Sequence, residues 1–314
     1  MSNVFLFPGQ GSQHEGMGKN LFDNFKIVRE VFDEANDTLH VNLQKLCFEG
    51  PESELKLTFH AQPALLTVSF ATYCVLVQET GVRSALLAGH SLGEYSALVV
   101  AGVLEFSKAV WLVRERGLAM QKACAFGEGG MAALIGISAQ GAKELCEAAS
   151  KLCETNACVV PANFNGGGQV VVSGHKDAIE KVMTLAKEAG VRKVVWLDVS
   201  APFHSPLMKP AAEHMARLLN PMKMKPPKIP YIANVDAQLV RDEALIKDKL
   251  IQQIPSPVAW EASMMRLGPE GITQAYEIGA GKVLTGLLRR INKGIVSYPV
   301  ETTDDIKVLA GHKE

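Results

Sequence analysis

The segment Leu86–Gly102 reads LLAGHSLGEYSALVVAG, and few folds accommodate it. Three apolar residues, Leu86–Ala88, bring the chain to Gly89-His90-Ser91-Leu92-Gly93, and a helix-forming run, Glu94–Ala101, carries it away. Gly102 is suited to stop that run, since glycine adopts positive φ at little cost. A strand, a sharp turn with serine at its tip and a helix make the nucleophile elbow of α/β sheets, whose sequence form is G-x-S-x-G. Glycines two residues either side of the serine leave room for the turn, so the hydroxyl points into the open. The helix start behind it offers unpaired N–H groups and the positive end of its dipole to a developing oxyanion. An ordinary strand–helix turn carrying a glycine-flanked serine has the same signature. The motif makes Ser91 a candidate nucleophile that still needs partners.

At 314 residues the chain suffices for one large domain or two unequal ones. It is 47% hydrophobic and 21% charged, with a net charge of −1, so there is no electrostatic basis for nucleic acid or an acidic membrane surface. The six cysteines form no C-x-x-C pair and no metal-ligand spacing. Cys146 and Cys153 fall on the apolar face of one predicted helix, as small core hydrophobes. MSNVFLFPGQG at the N-terminus lacks the basic and apolar regions of a signal peptide. Thr67–Gln78 is uncharged but too short to span a bilayer. The expectation is a soluble monomer in a reducing cytoplasm, with no membrane and no nucleic-acid partner.

Asn3–Phe7 reads as a buried strand stopped by Pro8 and Gly9. The loop Gly9–Gln13 suggests phosphate binding but fails both templates. A dinucleotide fingerprint needs glycine where His14 stands, and a P-loop needs lysine where Met17 stands. Pro63 is placed to open a helix running to about Glu79. A further helix, Ser107–Ala123, carries an apolar stripe of Val110, Val113, Gly117 and Met120. Arg116 sits inside that apolar arc, whereas Arg114 and Glu115 point away. Two readings stand: a snorkelling arginine with its head in water, or a guanidinium facing a cavity and awaiting an anion.

The middle of the chain alternates strand-like and helical periods. Met131–Ile137 is strand-like, and Ala142, Leu145, Cys146, Ala149, Leu152 and Cys153 repeat at helical spacing. Cys158–Ala162 and Gln169–Ser173 are strands joined across Asn163–Gly168, then Ala178–Ala189 is a helix and Arg192–Val199 a strand. The order β-α-β-β-α-β is that of a ferredoxin-like unit. Gly127, Gly129 and Gly130 mark one hinge and Ala201-Pro202 the other. The expected architecture is therefore α/β: a large α/β-hydrolase-like domain with a parallel sheet and nucleophile elbow, residues 1–124 and 199–314. A small ferredoxin-like domain, residues 125–198, is inserted in it. Ser200–Pro206 then returns the chain to the larger domain, and places His204 between two prolines in a stiff loop at the junction. Alone it could be a surface-loop histidine; paired with Ser91 it is the candidate general base.

The motifs FPGQGSQ (Phe7–Gln13), QPALL (Gln62–Leu66), GHSLGEYSAL (Gly89–Leu98), RERG (Arg114–Gly117), APFHSPLM (Ala201–Met208) and GKVLTGLLRRI (Gly281–Ile291) follow one another in order. With them the chain resembles the malonyl-CoA:acyl carrier protein transacylases of fatty-acid synthesis over practically its whole length. The resemblance implies transfer of a malonyl group from malonyl-CoA to the phosphopantetheine thiol of acyl carrier protein, with no cofactor beyond these substrates and no metal. It implies Ser91 as nucleophile and His204 as base. The imidazole would be held by a backbone carbonyl, supplied by Gln253, rather than by an aspartate. It further implies the backbone N–H groups of Gln10 and Leu92 as oxyanion donors, Arg116 as the grip on the malonyl carboxylate, and Phe203 as a selector of malonyl over methylmalonyl. Ala280 departs from the proline frequent in the family, outside the reacting residues.

Two rival classes use the same residues differently. An esterase or thioesterase shares the Ser–His pair but has no use for a buried arginine or an inserted domain. A binding module retaining the fold without turnover would have no reason to keep Ser91, His204, Arg116 and Gln10 together.

Overall fold

The first strand, β1 (Ser2–Phe7), is apolar on both sides because it lies in the middle of a sheet covered on both faces. The computed structural model describes residues 2–125, 127–153 and 157–311. Its remaining strands are β2 (Leu86–Gly89), β3 (Gly129–Ile135), β4 (Val159–Gly166), β5 (Gln169–His175), β6 (Lys193–Trp196), β7 (Tyr231–Ile232), β8 (Leu239–Val240), β9 (Ile272–Ile278) and β10 (Val296–Val300). The larger sheet runs β10-β9-β1-β2-β7-β8, parallel except for the β7–β8 pair at its edge. Alternation sorts its side chains. Phe5, Phe7, Leu87, Tyr276 and Ile278 enter one core, and Val4, Leu6, Leu86, Ala88 and Ala275 enter the core on the opposite face with Trp260 and Leu288.

The helix Thr58–Thr80 packs in the first of these cores and is long and apolar enough to cross a membrane. Its most apolar stretch is 72% buried within the protein. The sequence pattern starts this helix at Pro63, but the structure starts it at Thr58, with Pro63 inside it. Proline cannot donate to the carbonyl of Phe59 and so weakens the helix locally. Tertiary packing holds the extra turn: a Cβ on Gly117, in the helix Phe106–Lys122, would lie 2.5 Å from Phe59 Cα. The two backbones therefore touch where Gly117 stands, and this brings its neighbour Arg116 against Gln62.

A second sheet, β4-β5-β3-β6, is antiparallel throughout. The helices Ala139–Lys151 and Lys176–Glu188 cover one face, where Ala132, Leu134 and Val172 meet Cys146, Ile179 and Val182. Alternate residues Met131, Ala133 and Val171 turn the other way, into the main core. Two sequence expectations shift here. Strand β4 runs on to Gly166, because the hairpin turn is the run Gly166–Gly168, all at positive φ. The first helix ends at Lys151, which swings Leu152 out to 58% exposure and leaves Cys153 half-buried against the small core. The two sheets are tied together where Phe164 N–H donates to the Val258 carbonyl at 3.0 Å and Val258 N–H to the Ala162 carbonyl at 2.8 Å.

Glycines set how closely the elbow docks. A Cβ on Gly93 would lie 2.1 Å from the Phe7 carbonyl oxygen, one on Gly89 2.0 Å from the Gly93 backbone, and one on Gly9 2.4 Å from the His90 carbonyl. Replacing Gly93 by alanine is expected to lower the urea-unfolding free energy by about 2 kcal/mol or more, on the scale of overpacking a rigid site. Gly286→Ala, in a helix with nothing within 4 Å of the added methyl, should be neutral or stabilising. Equal effects of the two substitutions would show that the elbow has slack.

Candidate active site

Ser91 stands between the end of β2 and the helix Gly93–Val100, at φ 50°, a left-handed conformation that costs a residue with a side chain of order 1 kcal/mol or more. The surroundings hold it there. Asn234, just past β7, accepts from Ser91 N–H at 2.6 Å and donates from Nδ2 to the Gly89 carbonyl at 2.7 Å. One amide thus clamps both arms of the turn.

His204 arrives from the loop between the second sheet and the helix Lys209–Leu219, at φ 57°. Ser205 Oγ donates to the Pro202 carbonyl at 2.7 Å and closes that loop. The imidazole Nε2 lies 2.7 Å from Ser91 Oγ. Its Nδ1 lies 2.8 Å from the Gln253 carbonyl and 3.2 Å from that of Ser256. Both are acceptors only, so Nδ1 carries the proton and Nε2 is left free to accept from the serine. Gln253 ends the helix Ile246–Gln253, where carbonyls have no partner in the next turn. Burial, aided by the charge of Arg116, pushes the His204 pKa down to about 3, so the ring is neutral across the physiological range.

Arg116 is 1% exposed, and among the described residues its guanidinium meets only neutral acceptors. Nη1 donates to Gln62 Oε1 at 2.7 Å; Nη2 donates to Gln253 Oε1 at 2.7 Å and to Ser91 Oγ at 3.1 Å. The Tyr95 ring lies with its centroid 5.5 Å from the guanidinium carbon. Nε finds no partner among the described residues. A guanidinium has five N–H groups, so capacity for an anion remains. Of the two readings open from the sequence, the structure has the buried one.

A cavity of about 670 Å³ opens onto Ser91, His204 and Arg116. Gln10, Leu92 and Phe203 line it, as do Met131, Asn163, Asn165 and Val171 from the second sheet. Neither Gln10 nor Leu92 donates its backbone N–H to an acceptor among the described residues. Gln10 is steadied through its side chain, which accepts from Thr58 Oγ1 at 2.8 Å. Thr58 Oγ1 in turn accepts from Gln62 Nε2 at 3.0 Å. Lys56, Lys282 and Arg290 also face the cavity and favour an anionic ligand. A hydroxyl, a neutral imidazole, two free N–H groups and a buried cation in one cavity can support acyl transfer from a substrate bearing a negative charge.

Every sequence-derived candidate therefore gathers at this one place, Gln253 by hydrogen bonding to Arg116 and His204. Sequence reasoning missed Gln62, Asn234 and Glu94. Glu94 is fully buried, and its Oε2 accepts from Gln253 Nε2 at 2.8 Å and from Asn234 N–H at 3.2 Å. Burial pushes its carboxyl up to about 7 despite these donors and the charge of Arg116. Its signal was a carboxylate inside the most apolar helix of the chain. His90, half-buried, lies with Nε2 2.9 Å from Asn165 Oδ1.

The acyl transferase domain family matches residues 4–290. The malonyl CoA-acyl carrier protein transacylase of Bacillus subtilis (strain 168) is 46% identical over 309 residues, covering 98% of this chain and 96% of the relative. That of Escherichia coli (strain K12) is 45% identical over 288 residues, 92% of each chain. Among solved structures, an acyl carrier protein S-malonyltransferase from Vibrio cholerae is similar at TM-score 0.94 and 42% identity, covering 98% of this chain and all of that one. A malonyl-transacylase solved in complex with a type II PKS acyl-carrier protein is similar at TM-score 0.96 and 38% identity over the full length of both chains.

His204 and Glu94 have opposite linkage to stability. His204 has its folded pKa depressed, so its contribution is present above the unfolded value near 6.5 and is lost as pH falls toward 3. Glu94 has its folded pKa raised, so its contribution is full below the unfolded value near 4.5 and is lost as pH rises through 7. Between pH 4.5 and 6.5 the two slopes oppose. Glu94→Gln removes the falling one. Relative to wild type, its urea-unfolding free energy should climb with pH across this window, by up to ~1.4 kcal/mol per pH unit. A difference curve that is flat would place the Glu94 titration in its ordinary range.

Proposed function

The chain belongs to the acyl transferase domain family, and we infer that it transfers a malonyl group from malonyl-CoA to the phosphopantetheine thiol of acyl carrier protein, the step that supplies fatty-acid elongation. The observation that carries this reading is the Ser91–His204 pair at 2.7 Å beside a buried arginine with no acidic partner among the described residues.

Ser91 Oγ attacks the thioester carbonyl as His204 Nε2 takes its proton, forming the carbon–oxygen bond and a tetrahedral oxyanion. The backbone N–H groups of Gln10 and Leu92 receive that oxyanion, with the helix Gly93–Val100 directing its positive end toward it. The carbon–sulfur bond breaks, the imidazolium returns the proton to the leaving thiolate, and CoA departs. The carrier's thiol then gives its proton to His204 and attacks the malonyl-serine, and Ser91 leaves protonated. Each half-reaction uses the same site in turn. Attack and proton transfer are the whole chemistry, so it calls for no metal or redox cofactor.

Arg116 pairs with the free carboxylate of the malonyl group and turns the thioester carbonyl toward Ser91. Gln253 holds the base by its carbonyl. Phe203, next to His204, limits substitution at the malonyl α-carbon. For the chain as a whole, the strand order β4-β5-β3-β6 and the sequence β-α-β-β-α-β support reading residues 125–198 as an inserted ferredoxin-like domain. Residues 1–124 and 199–314 then form an α/β-hydrolase-like domain around the elbow.

Mixing the protein with malonyl-CoA and no acceptor should add one malonyl group, seen by intact mass, and Ser91→Ala should abolish the adduct. An adduct of full yield on that variant would move the nucleophile elsewhere. Arg116→Ala should lower kcat/KM for malonyl-CoA by about a hundredfold, some 3 kcal/mol on the scale of breaking a buried charge pair. Transfer from acetyl-CoA, which has no carboxylate to lose, should hold or rise. Equal losses for both thioesters would make Arg116 a structural arginine.

A further inference from the structure

Glu94 is a buried carboxylate that the reaction above does not use. It lies three residues beyond Ser91, on the elbow helix; its backbone N–H donates to the Ser91 carbonyl at 3.1 Å, but its carboxylate is bonded to neither the Ser91 hydroxyl nor the His204 ring. Its Oε2 holds two groups that do. One is Gln253, whose side-chain amide also donates to the Ser91 carbonyl at 2.9 Å and accepts from Arg116, and whose own carbonyl holds His204. The other is Asn234, whose side chain clamps Ser91 N–H and the Gly89 carbonyl. Asn234 and Gln253 lie 140 and 159 residues beyond Glu94 in the chain, one just past β7 and the other at the end of the helix Ile246–Gln253. A single oxygen atom is where the arm that carries the base and the arm that carries the nucleophile meet.

We propose that Glu94 is a positioning residue that sets Ser91 and His204 in mutual register, acting through Gln253 and Asn234. The inference rests on the transferase reading of the site. Its second oxygen, Oε1, has no partner among the described residues, so what the site takes from Glu94 is one acceptor atom at a fixed place. The neutral carboxyl, or an amide of the same shape, can supply that acceptor. Removing it frees two buried N–H donors and lets both arms relax independently, and misplacement by about 1 Å in such a pair costs roughly a hundredfold in rate.

The test measures formation of the acyl-Ser91 adduct by quench-flow and intact mass, per folded molecule, on the full chain. Glu94→Ala should slow acylation by malonyl-CoA about tenfold to a hundredfold, with half-saturation changed less than about threefold, and should slow acylation by acetyl-CoA by the same factor. Glu94→Gln should stay within about threefold of wild type. Asn234→Ala added to Glu94→Ala should cost less than the product of the two single effects, because both remove one connected brace. Should Glu94→Ala fail to fold, Glu94→Asp, too short to reach both donors, should show the same matched loss on the two thioesters. The proposal is overturned if the alanine variant keeps the wild-type rate. It is also overturned if only malonyl half-saturation suffers, which would make Glu94 part of the carboxylate grip, or if the glutamine variant is as slow as alanine, which would make its charge the essential feature. A wild type that takes no acyl group from either thioester overturns the transferase reading, and the proposal with it; an acylated wild type with unaffected variants overturns the proposal alone.

Discussion

Arg116 is a full positive charge taken out of water and offered only neutral oxygens, and much of the site follows from that. Desolvating a guanidinium costs several kcal/mol, which neutral hydrogen bonds return only in part. The nearest acid, Glu94, is bonded to amides instead and pushed toward its neutral form by burial. The cavity therefore carries an uncompensated charge, and a ligand carboxylate that enters it completes an ion pair the fold leaves open. The same charge helps hold His204 neutral, as a base must be before it acts. It also reaches Ser91 Oγ, where a cationic donor favours the oxygen as it loses its proton.

His204 is oriented without a carboxylate from any described residue. In a Ser-His-Asp arrangement the acid fixes the tautomer and steadies the imidazolium. Here two backbone carbonyls fix the tautomer, that of Gln253 at the end of a helix and that of Ser256 in the loop after it, and the negative pole of the Ile246–Gln253 helix faces the ring. A full negative charge beside His204 would also sit near Arg116 and partly cancel it. Partial charges on backbone carbonyls serve the histidine while leaving the arginine available, so the two devices suit one another.

The parts of the site that were legible in the sequence are those whose local backbone is unusual. Ser91 needs glycines at fixed spacing around a strained turn, and His204 sits in a proline-bounded loop; both leave marks in the nearest few residues. Arg116 was half legible: its place in an apolar helical arc was visible, but whether it was buried depended on Gly117 meeting Phe59, a contact between separate helices. Gln62, Glu94 and Asn234 join the site through partners 54 to 159 residues away, and apart from the apolar helix around Glu94 nothing local marks them out. The same logic governs the fold. Long, strongly patterned elements were clear, whereas the two-residue strand Leu239–Val240 exists only because it pairs with β7. The helix around Pro63 began a turn early because tertiary packing outweighed the proline rule.

The middle position of β1 has a consequence for the order in which this molecule can be made. Its neighbour on one side, β2, arrives early, but its neighbour on the other, β9, is nearly the whole chain away, with Phe5 set against Tyr276. Ser91 waits through 113 residues for His204, and its carbonyl through 162 for Gln253. Contacts of such separation close late, because the loop entropy must be met before they contribute. A nascent chain leaving the ribosome thus carries Ser91 long before it has either His204 or the Asn234 amide that clamps the serine's turn. The site of Ser91, His204 and Gln253 is therefore complete only once the last third of the polypeptide has docked.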